Sequence, residues 1–524
     1  MKGKLTKFLV DYAINRSYLK SGNSYSTAFG VLDENFGDLP RKITEESNVK
    51  PYESIPGPKK LPFIGNGWRF APVIGQYQIQ ELDKVMWSLY WDYGKMVRVS
   101  GLFGHPDLLF VFDGDIIKSI FKLEEELPHR PSMPSLHYYK QRLKKDFFGS
   151  SPGAVGVHGP LWDEFRRNVQ QIVLQPSIAR TYYGPLDEIA TEFINRIDTY
   201  LLDEKDELPA NFMSELNKWA LESVARVSLD TRLGCLKPNL AKNSEQKKII
   251  NSILTFFKNV PEVELRFPIW RLYHNKNFRD YIAALETFRT LCVNHINEAI
   301  QKDVPGRTSI VKRIVERTGS PRLATVLALD FFLVGVDTTS ITIASTMYHL
   351  SQNQEKQTKL YEELRNIIPN LNQPVNLSCD LSYLKACVKE TLRLKPVVLG
   401  NGRSLQSERV IDGYLVPKGT HVIFPHLVVG NLEKYFSEPS KFIPERWLKE
   451  NKDAEKFHPF VSLPFGYGRR ACLGKRFAEA ELYILLAKIF RKYKVEYNYG
   501  KMTYKVVPTY TPINPLKFKL TRRE

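Results

Sequence analysis

One cysteine in a glycine-rich turn constrains this chain more than any other feature. Phe465-Gly466-Tyr467-Gly468-Arg469-Arg470-Ala471-Cys472-Leu473-Gly474 runs directly into a stretch of helical periodicity over 475–490. Glycines permit a tight turn whose N–H groups point at a sulfur, the arginines suit anionic groups, and a helix N-terminus adds positive partial charge. Together they favour a thiolate at Cys472 and make it the best metal ligand in the chain. Taken alone, Cys472 also reads as a small buried apolar residue.

A thiolate can bind zinc, enter an iron–sulfur cluster, attack a substrate or ligate haem iron, and the first two need several cysteines at short spacings. The five cysteines are Cys235, Cys292, Cys379, Cys387 and Cys472, with no C-x-x-C pair. An odd, scattered set also argues against a disulfide framework and implies a reducing compartment. A rival remains: 466–471 fits G-x-G-x-x-A, between strand-like Phe460-Val461-Ser462-Leu463 and a second strand-like run, Lys494-Val495-Glu496-Tyr497. That pattern reads as a nicotinamide dehydrogenase. Pro464 interrupts the first strand, and too little chain follows Glu496 to complete a doubly wound sheet.

Residues around and upstream of the cysteine favour haem. Phe465, Gly468, Arg470, Cys472 and Gly474 match F-x-x-G-x-R-x-C-x-G, Glu390-Thr391-Leu392-Arg393 matches E-x-x-R, and Pro444-Glu445-Arg446-Trp447 resembles P-E-R-F, in that family's order. By itself E-x-x-R is weak, since such a helical pair is often an exposed salt bridge worth a few tenths of a kcal/mol. From Pro56-Gly57-Pro58 onward the chain resembles the haem-thiolate monooxygenases, the cytochromes P450. The resemblance implies a mainly α fold with small β-sheets, and haem b held between a long central helix and the cysteine-loop helix, with Cys472 as axial thiolate. It further implies a buried ion-pair network of Glu390, Arg393 and Arg446.

Haem brings two propionates, which arginine pairs with bidentately. Trp162 and Arg166 match the family's W-x-x-x-R, Arg403 follows Pro396 by the family's interval, and Arg470 belongs to the cysteine loop. Arg167 and Arg469 read as surface residues.

Over 324–350 an apolar segment reads as the central helix, interrupted by Gly335-Val336-Asp337-Thr338-Thr339. A buried acid and alcohol are costly in an apolar core, which points to function; alternatively, the threonines bond back to carbonyls one turn earlier. The resemblance gives Thr338 a hydrogen bond to dioxygen and Asp337 a proton relay. Val334 is bulkier than the family's small residue there and narrows the space above the iron. Fold analogy places substrate contacts in 150–158, 328–333, 397–399 and 509–512. His421 and His426 read as satisfied histidines rather than a metal site.

The formal net charge of +18 fits nucleic acid, an anionic membrane or an acidic protein. No nucleic-acid motif is present. Lys385 and Lys389 share one face of a predicted helix over 382–394. Mitochondrial members resemble this arrangement and use such lysines, with a basic residue like Arg476, to dock a two-iron ferredoxin reduced by an NADPH-ferredoxin reductase. The alternative is a solvated basic face.

Residues 2, 4, 7, 16 and 20 are basic against one acid, Asp11, with apolar residues at helical spacing, as in a mitochondrial presequence. The first thirty residues hold no apolar run long enough to span a bilayer. The expectation is a presequence and connector over 1–45, a haem domain over 46–524, and peripheral association with the matrix side of the inner membrane. Asn217-Lys218-Trp219-Ala220-Leu221-Glu222-Ser223 and Leu229-Asp230-Thr231-Arg232-Leu233-Gly234-Cys235 resemble mitochondrial members as structural markers. Gly400-Asn401-Gly402-Arg403 and Pro515-Leu516-Lys517-Phe518-Lys519-Leu520 look most like insect members that oxidise foreign compounds. The expected reaction inserts one atom of O2 into a lipophilic substrate; the alternatives are a steroid hydroxylase of hormone synthesis and a non-oxygenase haem protein.

Overall fold

The computed structural model describes residues 49–523 apart from 63, 72, 131–132, 303–308 and 450–456. The expected presequence and connector, 1–45, lies outside the described residues. The helices that frame the site are α1 (Leu82–Tyr93), α2 (Gly159–Val173), α3 (Phe212–Leu229), α4 (Pro321–Gln352), α5 (Ser382–Leu394) and α6 (Lys475–Lys492). The strands are β1 (Lys50–Pro51), β2 (Met96–Val99), β3 (Leu108–Val111), β4 (Asn401–Ser404), β5 (Arg409–Ile411), β6 (Tyr414–Val416), β7 (His421–Phe424), β8 (Tyr493–Glu496), β9 (Tyr504–Val507), β10 (Thr509–Pro512) and β11 (Lys519–Arg522). Helices dominate and the sheets are small, as expected.

At the centre runs α4, 32 residues long. Ser320 caps it by accepting from the Leu323 N–H at 3.2 Å, and Pro321 occupies the first turn, where its missing N–H costs nothing. The helix has the length and apolarity to cross a bilayer, yet 78% of its most apolar window is buried in protein. It is the core helix.

The interruption expected at 335–339 is absent from the backbone: α4 is continuous. Its hydroxyls bond back one turn, Thr338 to the Val334 carbonyl at 2.9 Å, Ser340 to Val336 at 2.8 Å and Thr342 to Thr338 at 2.8 Å. Such bonds satisfy hydroxyls in apolar surroundings without opening the helix. Gly335 serves the packing instead, since a Cβ there would meet Val224 of α3 at 2.9 Å.

The four-stranded sheet has the order β2-β3-β7-β4, with β3 parallel to β7 and the other pairs antiparallel. A second sheet, β1-β6-β5, sets residues 50–51 parallel to β6. β9 and β10 form a hairpin, and β8 pairs antiparallel with β11. The dinucleotide reading fails here. Residues 460–463 form no strand, and the second expected strand is β8, whose partner is the C-terminal β11 rather than a parallel neighbour. A doubly wound site needs parallel strands flanking the glycine loop.

Candidate active site

The cysteine loop is built by backbone geometry. Gly466 and Gly468 adopt φ of 73° and 69°, a region that disfavours other residues. A Cβ on Gly468 would also meet Glu124 Oε2 at 2.5 Å. Residues 468–470 form a single 3-10 turn, and the Cys472 N–H donates to the Phe465 carbonyl at 2.8 Å. Gly474 differs: its φ is negative and a Cβ there would meet nothing within 4 Å. Its contribution is its N–H, which bonds toward the Cys472 sulfur.

Cys472 is enveloped by protein yet retains accessible surface, and so does Arg130. Side chains that line a cavity or a deep cleft combine these two properties. Burial pushes the Cys472 thiol up, opposed by the Gly474 N–H and then by Arg166 and Arg130. The neighbouring amide and guanidinium groups thus favour the thiolate, as the sequence led us to expect, and desolvation, a property of the whole fold, opposes them. A metal cation reverses that balance.

Four guanidinium groups from separate segments gather at the cysteine loop. Arg166 of α2 donates to the Ala471 carbonyl at 2.9 Å, beside the cysteine. Arg403 of β4 donates to the Tyr467 carbonyl at 3.1 Å and pairs with Glu124. Arg470 lies 3.4 Å from the centre of the buried Trp162 ring and donates to the carbonyls of Pro128 at 2.8 Å and Val157 at 3.0 Å. Burial first, and then Arg130, Arg403 and Arg166, lower Arg470 to about 9, with Glu124 opposing them. Four guanidiniums facing one carboxylate leave a surplus of positive charge in an enclosed space. Two carboxylates would neutralise it, so the donor set fits a haem with its propionates.

Arg130 and Glu124 were not visible as site residues in the sequence, because they belong to no motif and reach the loop only through the fold. The Ser404 N–H donates to the His129 carbonyl at 2.7 Å, and that bond brings residue 130 beside Arg403. Arg469 and Arg167 are exposed and both pair with Asp163, at 3.4 and 2.9 Å, as expected of surface residues.

Behind the cysteine loop, Glu390 and Arg393 of α5 form a bidentate pair, Nε–Oε2 2.8 Å and Nη2–Oε1 2.7 Å, with both side chains fully buried. Arg446 Nε reaches Glu390 Oε1 at 3.1 Å. The Trp447 indole N–H also donates to Glu390 Oε2 at 2.9 Å, a contact the motif comparison missed. The Arg393 fork further donates to the Gly430 and Pro439 carbonyls, at 2.8 and 2.9 Å.

On α4, Asp337 is buried and its carboxyl is pushed up to about 6 by burial. Its Oδ2 accepts from the Thr509 hydroxyl of β10 at 2.7 Å. Two turns earlier, Asp330 Oδ1 pairs with Lys140 at 2.8 Å while Oδ2 accepts from the Ala154 and Val155 N–H groups at 2.7 and 3.2 Å. Segment 150–158 is thus tied to α4 at one end and to Arg470, through Val157, at the other. Lys140 and Asp330 also went unseen in the sequence.

Lys385 and Lys389 of α5 meet Lys475 and Arg476 of α6 around Glu479, whose carboxyl is raised by burial and lowered by all four. The three expected docking residues therefore share one basic face. His426 is buried against the Val461 carbonyl, and no cluster of metal-binding side chains occurs among the described residues.

Residues 55–520 match the family model described as Cytochrome P450. The chain is 57% identical to "Probable cytochrome P450 49a1" of Drosophila melanogaster, over 93% of this chain and 86% of that protein. It is 43% identical to "Probable cytochrome P450 301a1, mitochondrial" of the same species, over 96% of this chain and 93% of that protein. With "Cytochrome P450 CYP12A2" of Musca domestica it shares 32% identity, over 91% of this chain and 92% of that protein. Relatives of this extent, and a family match spanning nearly all of the fold described above, make the chain a member of the cytochrome P450 family, the haem-thiolate monooxygenases.

Proposed function

We propose that this protein oxidises lipophilic foreign compounds in the mitochondrion, with electrons delivered by a two-iron ferredoxin that an NADPH-ferredoxin reductase reduces. The observation that carries the monooxygenase reading is the enclosed cysteine ringed by Arg130, Arg166, Arg403 and Arg470. Haem b, held there by the Cys472 thiolate, supplies the activation of O2 and the transfer of one oxygen atom to a C–H bond. Every other role falls to the chain. The guanidinium groups hold the propionates, Trp162 backs Arg470, and Phe465, Gly468 and Gly474 shape the loop. Glu390, Arg393 and Arg446 brace it from behind.

Asp337 and Thr338 of α4 would manage protons for the reaction. With its proton affinity near neutrality, the Asp337 carboxyl can both accept and release a proton under working conditions. Thr338 keeps its hydroxyl on the Val334 carbonyl and offers its oxygen lone pairs to water or substrate.

The basic face of Lys385, Lys389 and Arg476 suits an acidic electron donor. Several relatives carry the word mitochondrial in their names, which supports that compartment and residues 1–45 as a presequence. Leu61, Ile64, Val73 and Ile74 are exposed, as are Leu265, Phe267 and Ile269. The 100–105 loop bridges the two segments: the Asn66 N–H donates to the Ser100 carbonyl at 3.1 Å, Phe103 packs on Phe267, and His105 bonds to the Arg266 carbonyl at 2.9 Å. An exposed apolar surface of this kind supports peripheral contact with a membrane.

The test is a reduced, carbon-monoxide-bound difference spectrum of the purified protein beside Cys472→Ser, followed by turnover with ferredoxin, reductase and NADPH. A thiolate Soret band lost in the variant is expected, as is turnover of lipophilic foreign compounds. A band unaffected by the substitution overturns the ligand assignment, and turnover confined to steroids overturns the substrate class.

A further inference from the structure

Asp337 and Thr338 are neighbours in sequence, yet each is engaged elsewhere. Thr338 bonds within α4, to the Val334 carbonyl, whereas Asp337 bonds out of the helix, to Thr509 on the β9–β10 hairpin. Thr509 is itself buried, and its hydroxyl also lies 3.1 Å from that of Thr511. A hydroxyl has one proton to donate. At 2.7 Å from a carboxylate oxygen that accepts only, the Thr509 proton is committed to Asp337.

The hairpin is pinned from outside. The Tyr510 N–H donates to the Val397 carbonyl at 2.8 Å, and the Tyr510 hydroxyl donates to Asp83 of α1 at 2.9 Å. Lys395 lies over the rings of both Tyr504 and Tyr510, at 5.0 and 5.5 Å. Thr509 therefore stands on a fixed support, and its hydroxyl selects one orientation of the Asp337 side chain. Around Asp337, α3 presents Val224 at the adjacent Gly335, α6 presents Glu481 to Thr339, and β10 presents Thr509 and Thr511. Among the described residues, no charged side chain contributes to its proton affinity, which burial raises and Thr509 lowers.

We propose that Thr509 is a positioning residue for proton delivery, holding the Asp337 carboxylate toward the substrate-side hairpin and stabilising its ionised form. This rests on the reading of Asp337 as a proton relay. The consequence is a direct link between the C-terminal hairpin and the acid of the central helix: movement of β10 by a bound molecule frees the carboxylate to rotate. A hydroxyl at 509 is required for this, whereas the size of the side chain is not.

The experiment compares holoenzyme carrying Thr509→Val, which keeps the side-chain volume, with Thr509→Ser, which keeps the hydroxyl. Protonation of Asp337 is followed by infrared difference spectroscopy of its carboxyl band, with Asp337→Asn as the blank, across pH 4.5–8.5. Product formed per NADPH is measured over the same range. In the valine variant the carboxyl midpoint moves to higher pH by roughly one pH unit, because the ionised form loses a donor. The midpoint of coupling moves with it, and serine restores both. A carboxyl midpoint unchanged by valine overturns the proposal. A midpoint that moves while coupling stays flat with pH upholds the positioning of Asp337 and overturns its role as the relay. Should the valine variant fail to retain haem, Thr509→Ala provides the same comparison with less steric demand.

Discussion

Lys140 Nζ lies 2.8 Å from Asp330 Oδ1, and both side chains are almost wholly buried. Lys140 also donates to the Val155 carbonyl at 3.0 Å, and Gly153, at φ 93°, approaches so closely that a Cβ would meet Asp330 Oδ2 at 2.4 Å. The pair therefore clamps segment 150–158 onto α4. Breaking a buried pair from one side leaves the other charge uncompensated, at a cost of about 3–5 kcal/mol. Asp330→Asn is expected to lose roughly that much stability in urea denaturation of the holoenzyme. Haem transfer to a scavenger protein should also accelerate, since Val157 on the same segment supports Arg470. Unchanged haem transfer would confine the clamp to stability.

Trp447→Phe removes a donor while keeping an aromatic ring. The Trp447 N–H is one of the groups that satisfy Glu390, and hydrogen bonds to charged groups are worth about 1.5–3 kcal/mol. A loss of that size in chemical denaturation, with the Soret band intact, is the expected result. A loss well under 1 kcal/mol would mean that Arg393, Arg446 and the Ile443 N–H satisfy the carboxylate without it.

Glu481 on α6 is buried, and desolvation pushes its carboxyl from the ordinary 4.5 up to about 8, with the Thr339 hydroxyl as its hydrogen-bond partner. The unfolded chain releases this proton near 4.5 and the folded chain near 8. Between those values the folded state binds more protons, so stability is fully present below 4.5 and falls as pH rises toward 8. The loss attributable to this group is on the order of 5 kcal/mol. Glu481→Gln should abolish that part of the decline, leaving the variant more stable than the parent above pH 8. Denaturation midpoints measured from pH 5 to 9 test this, and parallel curves for the two proteins would refute it.

Lys385→Glu combined with Lys389→Glu reverses charge on the face shared with Arg476. Ferredoxin affinity should fall, and its dependence on ionic strength should flatten, because fewer opposite charges remain to be screened. Surface plasmon resonance at several salt concentrations reads both. Affinity equal to that of the parent would leave these lysines as ordinary surface.

The ends of α5 and the start of α6 were legible in the sequence, since Ser382–Leu394 and the helix opening at Lys475 follow from apolar spacing and a glycine-rich approach. So was the cysteine, through a motif whose glycines and arginines are adjacent in the chain. The pairing of Glu390 with Arg393 was legible for the same local reason, residues three apart on one helix. Its burial was not.

What the sequence by itself determined is therefore local: the cysteine turn, the helix that follows it, and the acid–alcohol pair within the central helix. Only the tertiary structure decided which distant groups meet there. Arg130 and Glu124 reach the cysteine loop, Lys140 reaches Asp330 across 190 positions, and Thr509 reaches Asp337 across 172. Motif spacing reports contacts along one element, whereas these depend on how α4, the 150–158 segment and the C-terminal hairpin pack together. The state of the thiol followed the same division. Its neighbours in the chain argued for a thiolate, but the desolvation that opposes it comes from burial, a property of the whole fold.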